Sequence, residues 1–380
     1  MPGTVRPVRD AGRAVLAPDT AARWVPFDLT SGNQIRFAMT VDGKPVTAIL
    51  DTGVSFSVIG RQSKALAAAR VLPRGSATAI GGAVAIGWMP TRSMSVGGLT
   101  RIGGGISVAA LPASATGSAT PVDLLVGRDL IGRQAIEIDY AARRFRLLPS
   151  GRLPFRGAVA PLRLSAERQV YESEMMLGGR RLRPMVVDTG DGSSVTVTQD
   201  EWRAAGMTTR PTTTAIAYGL AGPVVSELAI VPDLMIGDLD ARDVEVRIEP
   251  AGGFSQAIAA AGRIGSGFLQ RYRVLLDPAA GRMVLAPGDA AATPPLRSTS
   301  GLLVGVLPDR LRVLHVMRGS PAAADGWREG DVICRIDGVP VPADYAASRI
   351  ATWSVAPAGT TVVLGLCDGT ERRLVTRNFY

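Results

Sequence analysis

Ala48-Ile49-Leu50-Asp51-Thr52-Gly53 and Val186-Val187-Asp188-Thr189-Gly190 carry one message twice, an apolar run that ends in Asp-Thr-Gly. A single such triplet reads as a turn, because Asp and Gly favour turns and Thr hydrogen-bonds locally. Two of them, 137 residues apart, read as a duplication. The copy extends downstream: Val126 to Pro149 aligns without a gap on Ile264 to Pro287 at an offset of 138. Gly127 then falls on Gly265, Arg133 on Arg271, Asp139 on Asp277, Arg144 on Arg282 and Leu147 on Leu285. Offsets that differ by one residue imply one ancestral unit.

Each copy follows the same local plan. Ile35, Phe37, Met39 and Val41 alternate up to an Asp42-Gly43 turn, and Met175 to Leu177 precede Gly178-Gly179, so a hairpin leads into each triplet. A short strand and then a helix are predicted after each, with helices at Arg61 to Arg70 and at Gln199 to Ala205. The second has Thr198 as its cap and Glu201 three residues on. Ile136 and Ile138, matched by Val274 and Leu276, predict a half-buried strand, a turn at Asp139 or Asp277, and a returning strand.

The 380 residues leave room for two or three domains, and 46% of them are hydrophobic, enough to give each a core. With 44 glycines and 26 prolines among short runs of Val, Ile, Leu and Thr, the chain favours strands joined by turns. Its formal charge of +9 comes from scattered arginines; Lys44 and Lys64 are the only lysines, and no stretch interleaves cations with aromatics. That pattern describes a solvated basic surface and predicts no nucleic-acid partner. Cys334 and Cys367 are too few for a four-cysteine zinc site, and whether they pair stays open. No apolar run approaches the roughly 20 residues of a membrane span, and the first thirty residues hold no signal-peptide core. A soluble chain is expected, unless an export signal was trimmed or missed.

Catalytic classes narrow quickly. His315, the only histidine, lies in an apolar run near the C-terminus, so no Ser-His-Asp triad can form and Gly192-Ser193 is not its nucleophile. One histidine also cannot build a zinc cluster. Lys44 in a turn and Lys64 on a helix do not suit a serine-lysine pair, and no phosphate-binding loop is present. No metal and no cofactor is expected. Two carboxylates do suit peptide hydrolysis, which needs a base to activate water and an acid to protonate the departing nitrogen. Brought together, like charges share one proton and titrate as a pair. Gly53 and Gly190 let the backbone pass close by.

On these residues the chain resembles the pepsin and retropepsin families of aspartic peptidases, over about Phe27 to Pro287. The resemblance implies a catalytic pair of Asp51 and Asp188, with Thr52 and Thr189 clasping the two loops and Val126-Gly127 and Ile264-Gly265 packed beneath them. A hairpin over the cleft should grip the substrate. Its candidates are Ile80-Gly81-Gly82-Ala83 and Tyr218-Gly219-Leu220. Many pepsin-like enzymes carry a hydroxyl after the triplet, where this chain has Val54 and Asp191. Without a donor, and with a second negative charge nearby, the pair should titrate higher and work at less acidic pH than a gastric-type enzyme.

Past a Pro-containing stretch before Ser300, the last residues resemble a PDZ domain. Gly301, Leu302, Leu303 and Val304 stand where such domains hold a peptide's terminal carboxylate, Ser320 and Pro321 open a short helix, and another helix is predicted after Pro342. The expected fold is mainly β, two pepsin-like lobes of duplicated retropepsin-type barrels plus a small α/β PDZ domain. The expected boundaries are an arm at 1–24, lobes at 25–154 and 155–287, a linker at 288–299 and the PDZ domain at 300–380. Expected partners are a protein or peptide substrate and a PDZ ligand peptide, with a monomer sufficient for catalysis. Resemblance to bacterial peptidases of this pairing implies the periplasm or cell envelope. The rival is a non-catalytic peptide-binding scaffold built on the same cleft.

Overall fold

The computed structural model describes residues 12–66, 70–118, 121–132 and 134–380, and it is mainly β. Arg133 and most of the second half of the helix expected at Arg61 to Arg70 fall outside the described residues; what is described there is a 3-10 turn, Lys64–Leu66. The arm expected at 1–24 is described from residue 12, and its Arg13–Leu16 adds a strand beside Leu99–Ile102.

Among the described residues, strands gather into four sheets of eleven, six, eight and six strands. The eleven-stranded sheet belongs to the first repeat and the eight-stranded sheet to the second. Both entry hairpins form where the turn residues put them. Ile35–Val41 returns as Lys44–Leu50 through Asp42 (φ 52°) and Gly43 (φ 79°), and Tyr171–Leu177 returns as Arg180–Asp188 through Gly178 (φ 56°) and Gly179 (φ 76°). Positive φ at both turn positions matches the twist of the flanking strands.

A six-stranded sheet is shared between the repeats, in the order Ala158–Pro161, Arg282–Pro287, Tyr272–Asp277, Ala135–Asp139, Arg144–Leu148, Val25–Pro26. At its centre Ile136 faces Leu276, Glu137 faces Leu275 and Ile138 faces Val274. Glu137 and Leu275 are equivalent residues under the 138-residue offset, so this antiparallel register is symmetric about that pair. The sharing corrects one expectation. Ala135–Asp139 is buried on both faces rather than half-buried, because the sheet has protein above and below it. Glu137, fully buried, is neutralised by Arg146 (2.7 Å) and Arg273.

The second-repeat helix, Gln199–Ala204, has Thr198 Oγ1 accepting from Glu201 N at 3.2 Å. Glu201 does not complete the reciprocal capping box; its carboxylate turns to Arg180. The C-terminal unit has its own core, including Leu302, Leu311, Trp327, Ile333, Trp353 and Leu364. Ser320 caps the short helix Pro321–Ala324, and the helix expected after Pro342 takes the 3-10 form, in two pieces, Tyr345–Ala347 and Arg349–Val355. Cys334 and Cys367 are joined by a disulfide with Cα atoms 5.1 Å apart. The end of the linker is fastened down: Thr299 N donates to Ser354 O, and Arg377 N to Thr299 O. Among the described residues no helix is long and apolar enough to cross a membrane.

Candidate active site

Each Asp-Thr-Gly leaves the end of an interior strand flanked by a parallel neighbour. Lys44–Leu50 runs beside Leu124–Val126, and Asp51 N donates to Val126 O at 3.0 Å. Arg180–Asp188 runs beside Gly262–Gly265, with Asp188 opposite Gly265. The paired glycines have a steric cause. A Cβ on Gly127 would collide with Val54 O and the Phe56–Ser57 backbone, and one on Gly265 with Asp191 O and Ser193 O. The loop after each aspartate lies directly on that glycine.

The two loops meet with near two-fold symmetry. Thr52 N donates to Thr189 Oγ1 and Thr189 N to Thr52 Oγ1, each at 3.0 Å. Thr52 Oγ1 then donates to Val187 O and Thr189 Oγ1 to Leu50 O, each at 2.7 Å. All four bonds are buried, where an unmade bond costs about 1–3 kcal/mol.

The clasp brings Asp51 and Asp188 together. Gly53 lies so close under the Asp188 carboxyl, and Gly190 under that of Asp51, that a Cβ at either would overlap it. Asp51 accepts from Gly53 N at 3.1 Å, while Asp188 Oδ1 accepts from Gly190 N at 2.9 Å and Asp191 N at 3.0 Å. The two carboxyls lie close enough for each to feel the other, and the residues are only 8% and 5% exposed. Burial first, and the Asp188 charge second, hold the Asp51 carboxyl well above its ordinary range. Asp188 is pushed up to about 6, by burial and then by the charge of Asp191, against the opposing pull of Arg263 and two backbone N–H groups.

Asp191 is not the isolated charge that its place in the sequence suggests. It is buried and paired with Arg263 Nε at 2.7 Å, and Arg263 Nη1 also donates to Glu249 Oε1 and Ser255 Oγ, each at 2.7 Å. Burial raises the Asp191 carboxyl, but Arg263 and the Ser193 N–H outweigh it and keep the group below its ordinary range. Asp191 therefore stays ionised and does raise Asp188, while Arg263 offsets part of the effect.

Two hairpins, Leu72–Ala79 with Gly82–Pro90 and Thr213–Gly219 with Gly222–Ile236, contain the residues expected to grip the substrate. Gly81 (φ 93°) and Gly82 (φ 137°) turn the first; Tyr218 and Gly219 end the outgoing strand of the second. Their tips touch, Ala221 N donating to Ile80 O at 3.2 Å, and a Cβ on Gly219 would strike Ile80. Leu220 packs with Val54 and Ile86 on an apolar cluster that contains Leu125.

Gly301, Leu302, Leu303 and Val304 sit in the C-terminal unit. Gly301 N donates to Ser298 Oγ at 2.9 Å and Leu302 N to Ser300 Oγ at 3.2 Å, and Leu302–Leu307 is an edge strand. Among the described residues no three His, Cys, Asp or Glu side chains are grouped to hold a metal ion.

Several residues around the site escape sequence reasoning. Gln34 Nε2 donates to Gly190 O at 2.6 Å and Asn33 Nδ2 to Gly192 O at 3.0 Å, while Ser55 Oγ donates to Arg168 O at 2.5 Å, so each repeat braces the other's loop. Nothing local marks them. Arg263 did leave a sign, a charge inside an otherwise small and apolar strand where the first repeat has Leu125.

Residues 37–130 match the family model described as aspartyl protease, a span that contains the first triplet and Val126-Gly127. None of the curated proteins compared with the chain matches it.

Proposed function

We infer that the aspartic-protease-like domain matched at residues 37–130 gives the chain a peptidase-like function. We propose that it is an endopeptidase in which Asp51 and Asp188 share one proton and activate a water molecule, and that its C-terminal unit is a PDZ domain binding peptide or protein termini. One observation carries this: two buried carboxyls, from equivalent positions of two repeats, each lying against the other loop's glycine across a symmetric clasp.

With one proton on the pair, one carboxylate takes a proton from water as the oxygen attacks the scissile carbonyl carbon. The other carboxyl donates its proton to the carbonyl oxygen. When the C–N bond breaks, the first group returns a proton to the nitrogen and the second recovers its own from the tetrahedral diol. Thr52, Thr189, Gly53 and Gly190 position the two groups, and the hairpins with Gly81, Gly82, Tyr218 and Gly219 would close on an extended substrate. One chain holds both carboxyls, so a monomer suffices. The Cys334–Cys367 bridge favours an oxidising compartment, in keeping with the periplasm or cell envelope.

The test is cleavage of a mixed peptide library. Asp51→Asn and Asp188→Asn should each lower kcat by roughly 10²–10⁴-fold or more, and wild-type kcat/KM should rise with pH through about 6, where Asp188 ionises. Equal turnover by wild type and both variants, or none by any, would leave the scaffold reading.

A further inference from the structure

The two hairpins differ in what holds their bases. The first is paired within its own sheet, next to Gly105–Ala109. The second is also gripped from outside by the C-terminal unit. Thr213 Oγ1 donates to Arg318 O at 2.8 Å, Arg318 N donates to Thr214 Oγ1 at 3.1 Å, and the Arg318 guanidinium reaches Glu227 at 2.7 Å and Thr212 Oγ1 at 2.9 Å. Beneath these bonds Met317, 1% exposed, packs on Ala215 and Leu228, with Leu303, Phe379 and Tyr380 around it.

The strands of a hairpin are tied rung by rung, so fixing residues 212–215 and 227–228 restrains the tip beyond them. That tip is bonded to Ile80 and packs through Leu220 on the cluster that holds Val54, three residues past Asp51, while the two carboxyls are nearly closed off from solvent. A peptide reaches them only if the tips part.

The grip also connects to the far edge of the C-terminal unit. Among the described strands Leu302–Leu307 pairs only with Arg310–Val316, leaving an edge on which an extended chain can add, with Val306 and Leu307 exposed. A terminal carboxylate at that edge would compete with Ser298 Oγ and Ser300 Oγ for the N–H groups of Gly301 and Leu302. Ser298 N in turn donates to the Tyr380 hydroxyl at 3.2 Å, and Leu303 belongs to both the edge strand and the apolar contact.

We infer that the C-terminal unit is a clamp holding the second hairpin down over Asp51 and Asp188, and that an extended peptide with a free carboxyl terminus, docked at Gly301, loosens it. The consequence for turnover rests on the peptidase reading; the clamp itself does not. Hydrogen exchange of the amides at 216–222, measured in the full chain carrying Asp51→Asn, tests it without cleavage. Arg318→Ala should speed that exchange about threefold, the scale of one partly exposed ion pair with its hydrogen bonds. A short apolar peptide with a free carboxyl terminus should do the same, and its amidated twin should not. With Asp51 restored, Arg318→Ala should raise kcat/KM on a small peptide by a similar factor. Arg318 is 53% exposed, so an unchanged unfolding temperature would rule out general damage. Unchanged exchange in the variant overturns the clamp, as does faster exchange with lower kcat/KM, since the unit would then be ordering the hairpin for catalysis. Exchange that ignores the free-carboxyl peptide overturns the release. Exchange that responds in a chain whose wild type cleaves nothing upholds the clamp and sinks the peptidase reading instead.

Discussion

Behind Asp51 the first repeat is apolar; behind Asp188 the second is ionic. Val54 and Leu125 belong to a hydrophobic cluster, while their counterparts Asp191 and Arg263 form a buried ion pair that extends to Glu249. The first repeat has a buried arginine–carboxylate pair too, Arg101 with Asp129 at 2.7 Å, and Asp129 holds Ser57 N and Oγ at 2.7 Å each. That pair ties down the loop farther from the carboxyls and does not figure among the influences on Asp51, whereas Asp191 and Arg263 both act on Asp188. A duplicated backbone thus keeps its hydrogen-bond scaffold while the side chains around it diverge, and the divergence sits where it bears on charge.

The largest test of that contrast breaks the ion pair. Asp191→Val, which copies the first repeat on one side only, leaves the buried Arg263 with Glu249 and Ser255 but no partner at Nε, and should cost about 3–5 kcal/mol in urea unfolding. Adding Arg263→Leu and Glu249→Leu removes every charge of the network and should recover most of the loss; a triple variant as unstable as the single one would show that the two repeats are not interchangeable here.

A smaller effect comes from the titration of Asp188. Its carboxyl is at about 6 when folded against an ordinary 3.8, so between those values the folded chain holds a proton that the unfolded chain has released. Stability must therefore fall as pH rises through that window. Asp188→Asn removes the penalty and should be more stable than wild type at pH 7 by on the order of 2–3 kcal/mol, with little gain below the window. A variant less stable at pH 7 would mean that burial of this carboxyl is not costly.

The smallest difference is expected where the repeats agree. Thr52→Val and Thr189→Val each remove one donor and one acceptor from the clasp and should cost about 1–3 kcal/mol, within roughly 0.5 kcal/mol of each other. Unequal losses would show that the symmetry of distances conceals an asymmetry of energy.

What the sequence conveyed best was local. Alternation at Ile35 to Val41 and the Asp42-Gly43 turn specify a hairpin by themselves, and the matching offsets aligned Gly127 with Gly265, the glycines that the family resemblance implied under each triplet. What it conveyed poorly depends on partners distant in the chain. The burial of Ala135–Asp139 on both faces follows from a sheet completed by residues beyond 270. Arg263 reads as an exposed charge until Asp191 and Glu249 surround it. The contact between Arg318 and Thr212 to Thr214 has no periodic or turn-residue signature at all, and the pairing of two cysteines was undecided because spacing alone does not fix geometry.

The register of the shared sheet sets a limit on cutting the molecule in half. Two copies of the second repeat could rebuild the same central pairing, meeting Leu275 against Leu275. Two copies of the first would set Glu137 against Glu137 in the interior, each left with its own Arg146 and without Arg273. Fusion into one polypeptide is what allows an acidic residue to sit on the axis, so the first half is the one bound to its sibling.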